Sequence, residues 1–406
     1  MRKERDEKLV HAGLDTGKEY LLCMLRWRPD DFERPWRIRN PVDLARLAEL
    51  LSAVAPGRQL IVALEPTGTY GDALRPTLLR AGLTVHRVSP KAASDYAEVF
   101  DGVPSQHDGK DAGVVAERAA QGRSWPWPWH VPSEDEQERA YQVDGLDGQR
   151  RQLVLWCGRV EALRSRHGPE ATRWLKATSG VRLRCLATYG GPRGLAGDPD
   201  AVTRVRRWGK GFLSNDKALA LVASAPQTAG VTRGRWDEER LRRYAQAIQH
   251  CQREMRGARR RLRALAQGQE TIQALGEVVG VPTACVLWVA LGNPAAYHGG
   301  PAYRKAMGRN LAERSSGRWE GRWKISKRGS ASVRRWLYRA ALRWLRHEPV
   351  RSWYVRPKAP RRGEGKAAVV GVLRQLALAL YRVAGRGEPF DRQQWFRSRT
   401  EPSAAR

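Results

Sequence analysis

A chain of 406 residues with 41% hydrophobic content is long enough for two or three cores and too apolar to be a disordered polymer. No stretch approaches the length of a bilayer-spanning apolar run, and the first eight residues lack the apolar segment of a secretion signal, so the expectation is no membrane partner and a cytoplasmic location. The net charge of +31 points to a polyanionic partner, with nucleic acid first among them.

In chain order, the apolar runs over 9–15 and 20–26 predict an antiparallel hairpin with Asp15 near the end of its first strand. Leu44, Leu47 and Leu51 at helical spacing predict a helix over 41–55. Residues 61–64 run apolar straight into Glu65 and then break at Pro66 and Gly68, the pattern of a buried parallel strand. Open α/β sheets place their chemistry at the C-terminal ends of such strands. A helix over 70–81, a strand over 83–88 and a short helix reaching Phe100 follow. A further helix starts at Asp108, with Asp111 one turn on and facing the same way. An acid in the first turn also serves as a cap, so Asp108 alone carries little.

Asp15, Glu65, Asp108 and Asp111 thus come from two strand ends and one helix start. Carboxylates gathered at one rim repel each other unless a cation lies among them, and an all-oxygen set suits Mg²⁺ or Mn²⁺. Two such ions serve an in-line phosphoryl displacement.

Beyond residue 124 the run Trp125-Pro-Trp-Pro-Trp-His130 reads as a linker, and a long polar helix starts at a Ser133 cap. Residues 186–235, rich in Gly and Pro, read as an irregular insertion. Two heptad series, Leu241, Ile248, Met255, Leu262 and Tyr244, Cys251, Ala258, Leu265, predict a coiled-coil seam closed within the chain or between subunits. Residues 275–291 read as helix, Gly-rich turn, helix; the second start, after Pro282, suits a backbone phosphate as well as it suits a plain hairpin. Farther on, Ser315-Ser316-Gly317 lies in a loop thick with Arg314, Arg318, Arg322, Lys324, Lys327 and Arg328, before a helix that carries Arg334 and Arg335. These eight basic residues are the candidate nucleic-acid contacts.

Charge is distributed to match. Residues 1–130 carry 19 Lys+Arg against 18 Asp+Glu, residues 131–300 carry 27 against 17, and residues 301–406 carry 27 against 7. The five cysteines form no CxxC pair, which excludes a disulfide framework or zinc ribbon and fits a reducing compartment.

Asp15, then Glu65 in Glu-x-Thr-Gly-x-Tyr, then Asp108-x-x-Asp111-Ala, then Ser316-Gly317, Ile325-Ser-Lys-Arg-Gly329 and a Val333-Arg-Arg helix resembles the DEDD transposases of the insertion-sequence-110 family, which include Piv-type DNA invertases. The endings at 347–354, 366–374 and 387–390 match as well, so the resemblance covers nearly the whole chain except 186–235. One departure is Gln106-His107, where the family usually has Lys-Ser/Thr before the third acid.

The resemblance implies a RuvC-like, RNase H-type α/β domain over 1–128, a helical coiled-coil domain over 129–275, and a basic, mainly helical transposase domain over 276–406. It implies a Mg²⁺ or Mn²⁺ site on the four acids, with Ser316 as nucleophile and Ser315 its rival. Acids and serine fall in different domains, so a composite site is expected. A structured noncoding guide RNA, a homo-oligomer and a nucleoid-associated location are implied with it. Two other readings stay open: a metal nuclease using water, and a catalytically inactive nucleic-acid-binding relative.

Overall fold

The computed structural model describes residues 8–396 except 67, 102–107, 164–165, 177–178, 232–233, 310, 313–323, 326–328 and 356–364. The chain divides into two compact units, Met1–Val131 and Pro132–Arg406.

The first unit is built on a mixed sheet. β1 (Leu9–Thr16) and β2 (Tyr20–Arg28) form the expected hairpin, paired antiparallel from His11↔Arg26 to Thr16↔Leu21. β3 (Asp31–Phe32) and β4 (Trp36–Arg39) add to β2, and both are too short for apolar alternation to announce them. α1 (Leu44–Val54) leads to β5 (Gln59–Leu64), parallel to β1, and α2 (Leu74–Arg80) leads to β6 (Thr84–Val88), parallel to β5. α3 (Pro90–Asp101), α4 (Asp108–Ala120) and the edge strand β7 (Ser124–Pro126) complete the order β3-β2-β1-β5-β6-β7.

Helices cover both faces, which is why the central strands read as unbroken apolar runs. Val10, Ala12, Leu14, Leu60, Val62 and Leu64 join α1 on one face. Ala63 and Val88 join Ala93 and Ala97 of α3 and Val114, Val115 and Ala119 of α4 on the other.

Two expectations are corrected here. Residues 125–130 are not a free linker: Trp125 and Pro126 belong to β7, whose register runs from Val88↔Ser124 to His86↔Pro126. Proline is tolerated there because an edge strand leaves one row of donors unused. Trp127 and Trp129 then close over Arg75, whose guanidinium lies 4.2 Å and 4.5 Å from their ring centroids. The helix expected from residue 70 begins at Leu74, after a turn over 68–73.

The second unit is largely helical. α5 (Glu134–Ala162) opens with a full capping box between Ser133 and Glu136. α6 (Gly180–Tyr189), α7 (Pro192–Ala196), α8 (Ala201–Gly209) and α9 (Asn215–Ala223) follow. Residues 186–235 are therefore not irregular. Tyr189, Leu195, Val205, Leu213 and Leu221 bury one another in a core of their own.

α10 (Arg235–Leu265) runs antiparallel to α5: Leu241 and Ile248 share a cluster with Val160, whereas Met255 and Leu262 share one with Val143 and Leu146. Leu241, Ile248, Met255 and Leu262, the first heptad series, are thus buried within the chain. α11 (Glu270–Val279), α12 (Val281–Leu291), α13 (Gly300–Ala306), a two-residue ladder of β8 (Leu311–Ala312) with β9 (Lys324–Ile325), α14 (Ala331–Trp344), α15 (Val350–Val355), α16 (Gly365–Arg386) and α17 (Arg392–Trp395) complete the unit. α16 holds a stretch, Ala368–Arg386, long and apolar enough by composition to cross a membrane. More than half of it is buried, with Val372, Leu376 and Leu380 in the core beside Val333 and Leu337 of α14.

Candidate active site

Parallel pairing places the first two acids side by side. β1 and β5 run in register up to Leu14↔Leu64, so Asp15 and Glu65 are the next residues on neighbouring strands. Side chains alternate along a strand, so Asp15 shares the face of Gly13, and Glu65 that of Ala63. This is the face that α4 covers. Gly13 lies directly under the helix: a Cβ there would stand 2.0 Å from the Ala112 carbonyl oxygen and 2.4 Å from the Ala116 nitrogen. The helix can approach so closely only because that strand position has no side chain. Asp111, the residue before Ala112, is thereby brought to the rim.

Electrostatics accord with this placing. Burial first, and then the charges of Asp15 and Asp111, push Glu65 up to about 7. All three acids are half-buried. The backbone of Asp108 begins α4 one turn before Asp111, while its side chain lies outside the described residues. Among the described residues no three ligating side chains stand at metal-binding spacing.

Several residues that no motif announced support this rim. Asn40 Nδ2 donates to Gly17 O at 2.8 Å and to Tyr70 O at 3.0 Å, tying the turn after β1 to the turn after β5. Lys110, beside Asp111, is buried. On the α4 face behind the acids, Arg26 of β2 pairs with Glu117 of α4, and His86 Nδ1 meets Ser124 Oγ at 2.8 Å. His11 is buried with them, and burial, aided by Arg26, pulls it down to about 4. A lone His or Asn carries no spacing signal, and only the pattern of β1 facing α4 gives these residues a role.

The serine motif lies outside the described residues, as do Arg314, Arg318, Arg322, Lys327, Arg328 and the side chain of Lys324. Its frame is described. On either side of the segment that contains Ser315 and Ser316, Leu311 pairs with Ile325 and Ala312 with Lys324. Past the loop, Gly329 turns with φ +107°, and a Cβ on it would stand 2.6 Å from Ala306 O at the end of α13. Buried Arg309 donates to Arg334 O at 2.5 Å, and Arg334 Nη1 to Gly329 O at 2.6 Å. Arg335 pairs with Asp147 of α5. Arg334 and Arg335 thus also hold the start of α14 in place.

Residues 275–356 match the family model described as Transposase IS116/IS110/IS902 family. Over that stretch the chain is similar to this transposase family. The matched stretch begins in α11, spans α12 to α15 and takes in the serine motif. No curated protein matches the chain. Among solved structures it is similar to "T. thermophilus RuvC in complex with Holliday junction substrate", at 15% identity over 29% of this chain and 99% of that one, with a TM-score of 0.23.

Proposed function

We propose that the chain is a site-specific DNA transposase or recombinase whose first unit is a RuvC-like, RNase H-type metal domain and whose second unit supplies a serine nucleophile. The single observation that supports the metal half is the placing of Asp15, Glu65 and Asp111 at one rim, where the charges of Asp15 and Asp111 add to burial in pushing Glu65 up to about 7. The strand order, an antiparallel β1–β2 hairpin beside parallel β5 and β6, supports the fold part of the reading.

The donor set fits a hard divalent cation. It is carboxylate oxygen throughout, and the repulsion felt by Glu65 is of the kind a cation relieves. Asp15, Glu65, Asp108 and Asp111 are the residues that would hold Mg²⁺ or Mn²⁺, and such ions supply Lewis acidity toward a phosphate and its leaving oxygen. The protein's own groups do the rest. Ser316, or its rival Ser315, attacks a DNA phosphorus through Oγ; a Ser Oγ–P bond forms, the bond from phosphorus to one deoxyribose oxygen breaks, and that oxygen leaves as a hydroxyl. Attack by a second strand's hydroxyl reverses the step and returns the serine, so no ATP is consumed. Arginines around the loop offset charge on the phosphate oxygens.

The family resemblance extends the reading to an element-encoded noncoding RNA that supplies sequence choice by base pairing, to a homo-oligomer, and to a nucleoid-associated location. The basic second part of the chain accords with an RNA partner.

The test is incubation of the protein with DNA spanning its element's ends, the flanking transcript and Mg²⁺. The expected product is a DNA band retarded on a denaturing gel and released by protease, absent with Ser316→Ala and with Asp15→Asn. A protease-sensitive band lost only with Ser315→Ala moves the nucleophile by one residue. Cut strands without adduct, still cut by both serine variants, overturn the serine mechanism and leave a nuclease using water.

A further inference from the structure

A cleft of about 510 Å³ opens in the second unit where α10, the α11–α12 hairpin and α14 meet, lined among others by Arg259, Arg263, Gly280, Thr283, Arg343 and His347. Its frame is firm. Trp344 Nε1 donates to Val278 O at 2.8 Å and Arg343 Nη2 to Val279 O at 2.6 Å, so α14 caps the last carbonyls of α11. Gly280 makes the turn at φ +82°, is exposed, and starts α12 without a side-chain cap. Trp336, only 4% exposed, also lines the cleft, and its Nε1 donor is without an acceptor among the described residues. A buried donor of this kind is costly unless a ligand or water meets it.

Positive charge is crowded around the opening. Arg335, Arg339 and Arg343 recur every four residues on α14. Burial, and then Arg150 of α5, pull Arg339 down to about 10, with Arg335 and Arg259 adding to the effect. Arg343 and Arg150 are lowered by burial and then by Arg259, and Arg259 by burial and then by Arg263. Asp147, which pairs with Arg335, and exposed Glu277 are the acids near them. Folding alone gains nothing from packing like charges together, whereas a polyanion turns that repulsion into binding.

We propose that this cleft seats the phosphate backbone of duplex DNA, with Arg259, Arg263 and Arg343 on phosphates. The choice of DNA among polyphosphates rests on the transposase reading; the cleft and its charge do not. Its lining residues include none of the four acids and none of the basic residues 314–328.

Full-length protein is titrated with a 30-base-pair duplex (a length of about three helical turns) in EDTA over a range of salt concentrations. Arg259→Gln/Arg263→Gln is expected to lower the slope of log affinity against log salt by about 2, roughly 0.9 per phosphate contact, and to weaken binding about tenfold. Arg206→Gln/Arg207→Gln, which removes the same charge from the exposed side of α8, is expected to change neither. Exposed Arg263→Gln alone, expected to lower the slope by about 0.9, keeps the test decisive if the double variant fails to fold. Equal losses in the two double variants, or an unchanged slope in the cleft variants, overturn the proposal. A loss confined to an RNA stem of the same length overturns the assignment to DNA. Binding is read without metal, so a chain that failed to cut DNA could still pass, and one that cut DNA could still fail.

Discussion

Gly13 on β1 and Ala112 on α4 meet backbone to backbone: a Cβ added to Gly13 would lie 2.0 Å from the Ala112 carbonyl oxygen. Neither partner is the tip of a flexible side chain, so a methyl group at Gly13 has to push helix and strand apart. Gly13→Ala is expected to cost about 2–4 kcal/mol in denaturant unfolding and to abolish metal-dependent cleavage, because Asp111 moves with the helix. Unchanged stability together with unchanged cleavage would show that α4 does not depend on this contact.

Glu65 links the rim to pH. Its folded value of about 7 lies above the ordinary 4.5, so the metal-free folded protein binds more protons than the unfolded chain between those values. The resulting stability is full below pH 4.5 and is lost as pH rises through about 7. A divalent cation reverses the preference, because it favours the carboxylate. Mn²⁺ affinity is therefore expected to fall as pH drops below about 7, with a proton released on binding. Calorimetry at pH 6 and pH 8, in buffers of different ionisation enthalpy, measures both. Glu65→Gln should bind more weakly and lose that pH dependence, and a pH-independent wild type contradicts the account.

Asn40→Ala removes the tie between Gly17 and Tyr70, the two turns that follow the acid-bearing strands. Two hydrogen bonds to backbone are worth about 1–2 kcal/mol together. Metal affinity is expected to drop by more than the thermal midpoint suggests, since the turns stay attached to the sheet while their spacing loosens. An affinity identical to wild type would leave Asn40 a purely structural residue.

His11 is an acid-sensitive group of the first unit. Arg26, Glu117 and His86 face it, and burial with Arg26 holds it neutral down to about 4. A depressed histidine binds its proton later than the unfolded chain does, so its contribution to stability is present above about 6.5 and is lost as pH falls through about 4. His11→Gln should flatten the decline of the thermal midpoint across that window by several degrees, with little change at pH 8. A decline as steep as that of wild type would place the acid sensitivity elsewhere.

Much of the first unit is legible because its strands are buried on both faces. The unbroken runs before Asp15 and Glu65 announce parallel neighbours, and acids at the ends of parallel strands fall together as a matter of register. What brings Asp111 to them is not legible, since Gly13, Ala112 and Ala116 carry too little side chain to leave a pattern. Residues 186–235 mislead for the opposite reason. Helices as short as Pro192–Ala196 place Gly and Pro at nearly every turn, and the contacts that make Leu195, Val205 and Leu221 a core are tertiary. Trp125-Pro126 misleads because a proline reads as a break, whereas on the edge of a sheet it is merely an unused donor.

Asp15, Glu65 and Asp111 reach their rim from three separate segments, and α4 is the last of these to be synthesised. A polypeptide that stops short of α4 has both strand acids and neither helix acid, so abortive translation yields no fragment with a complete carboxylate set. The carboxylate rim comes into being only with a finished first unit, a dependence written into chain order.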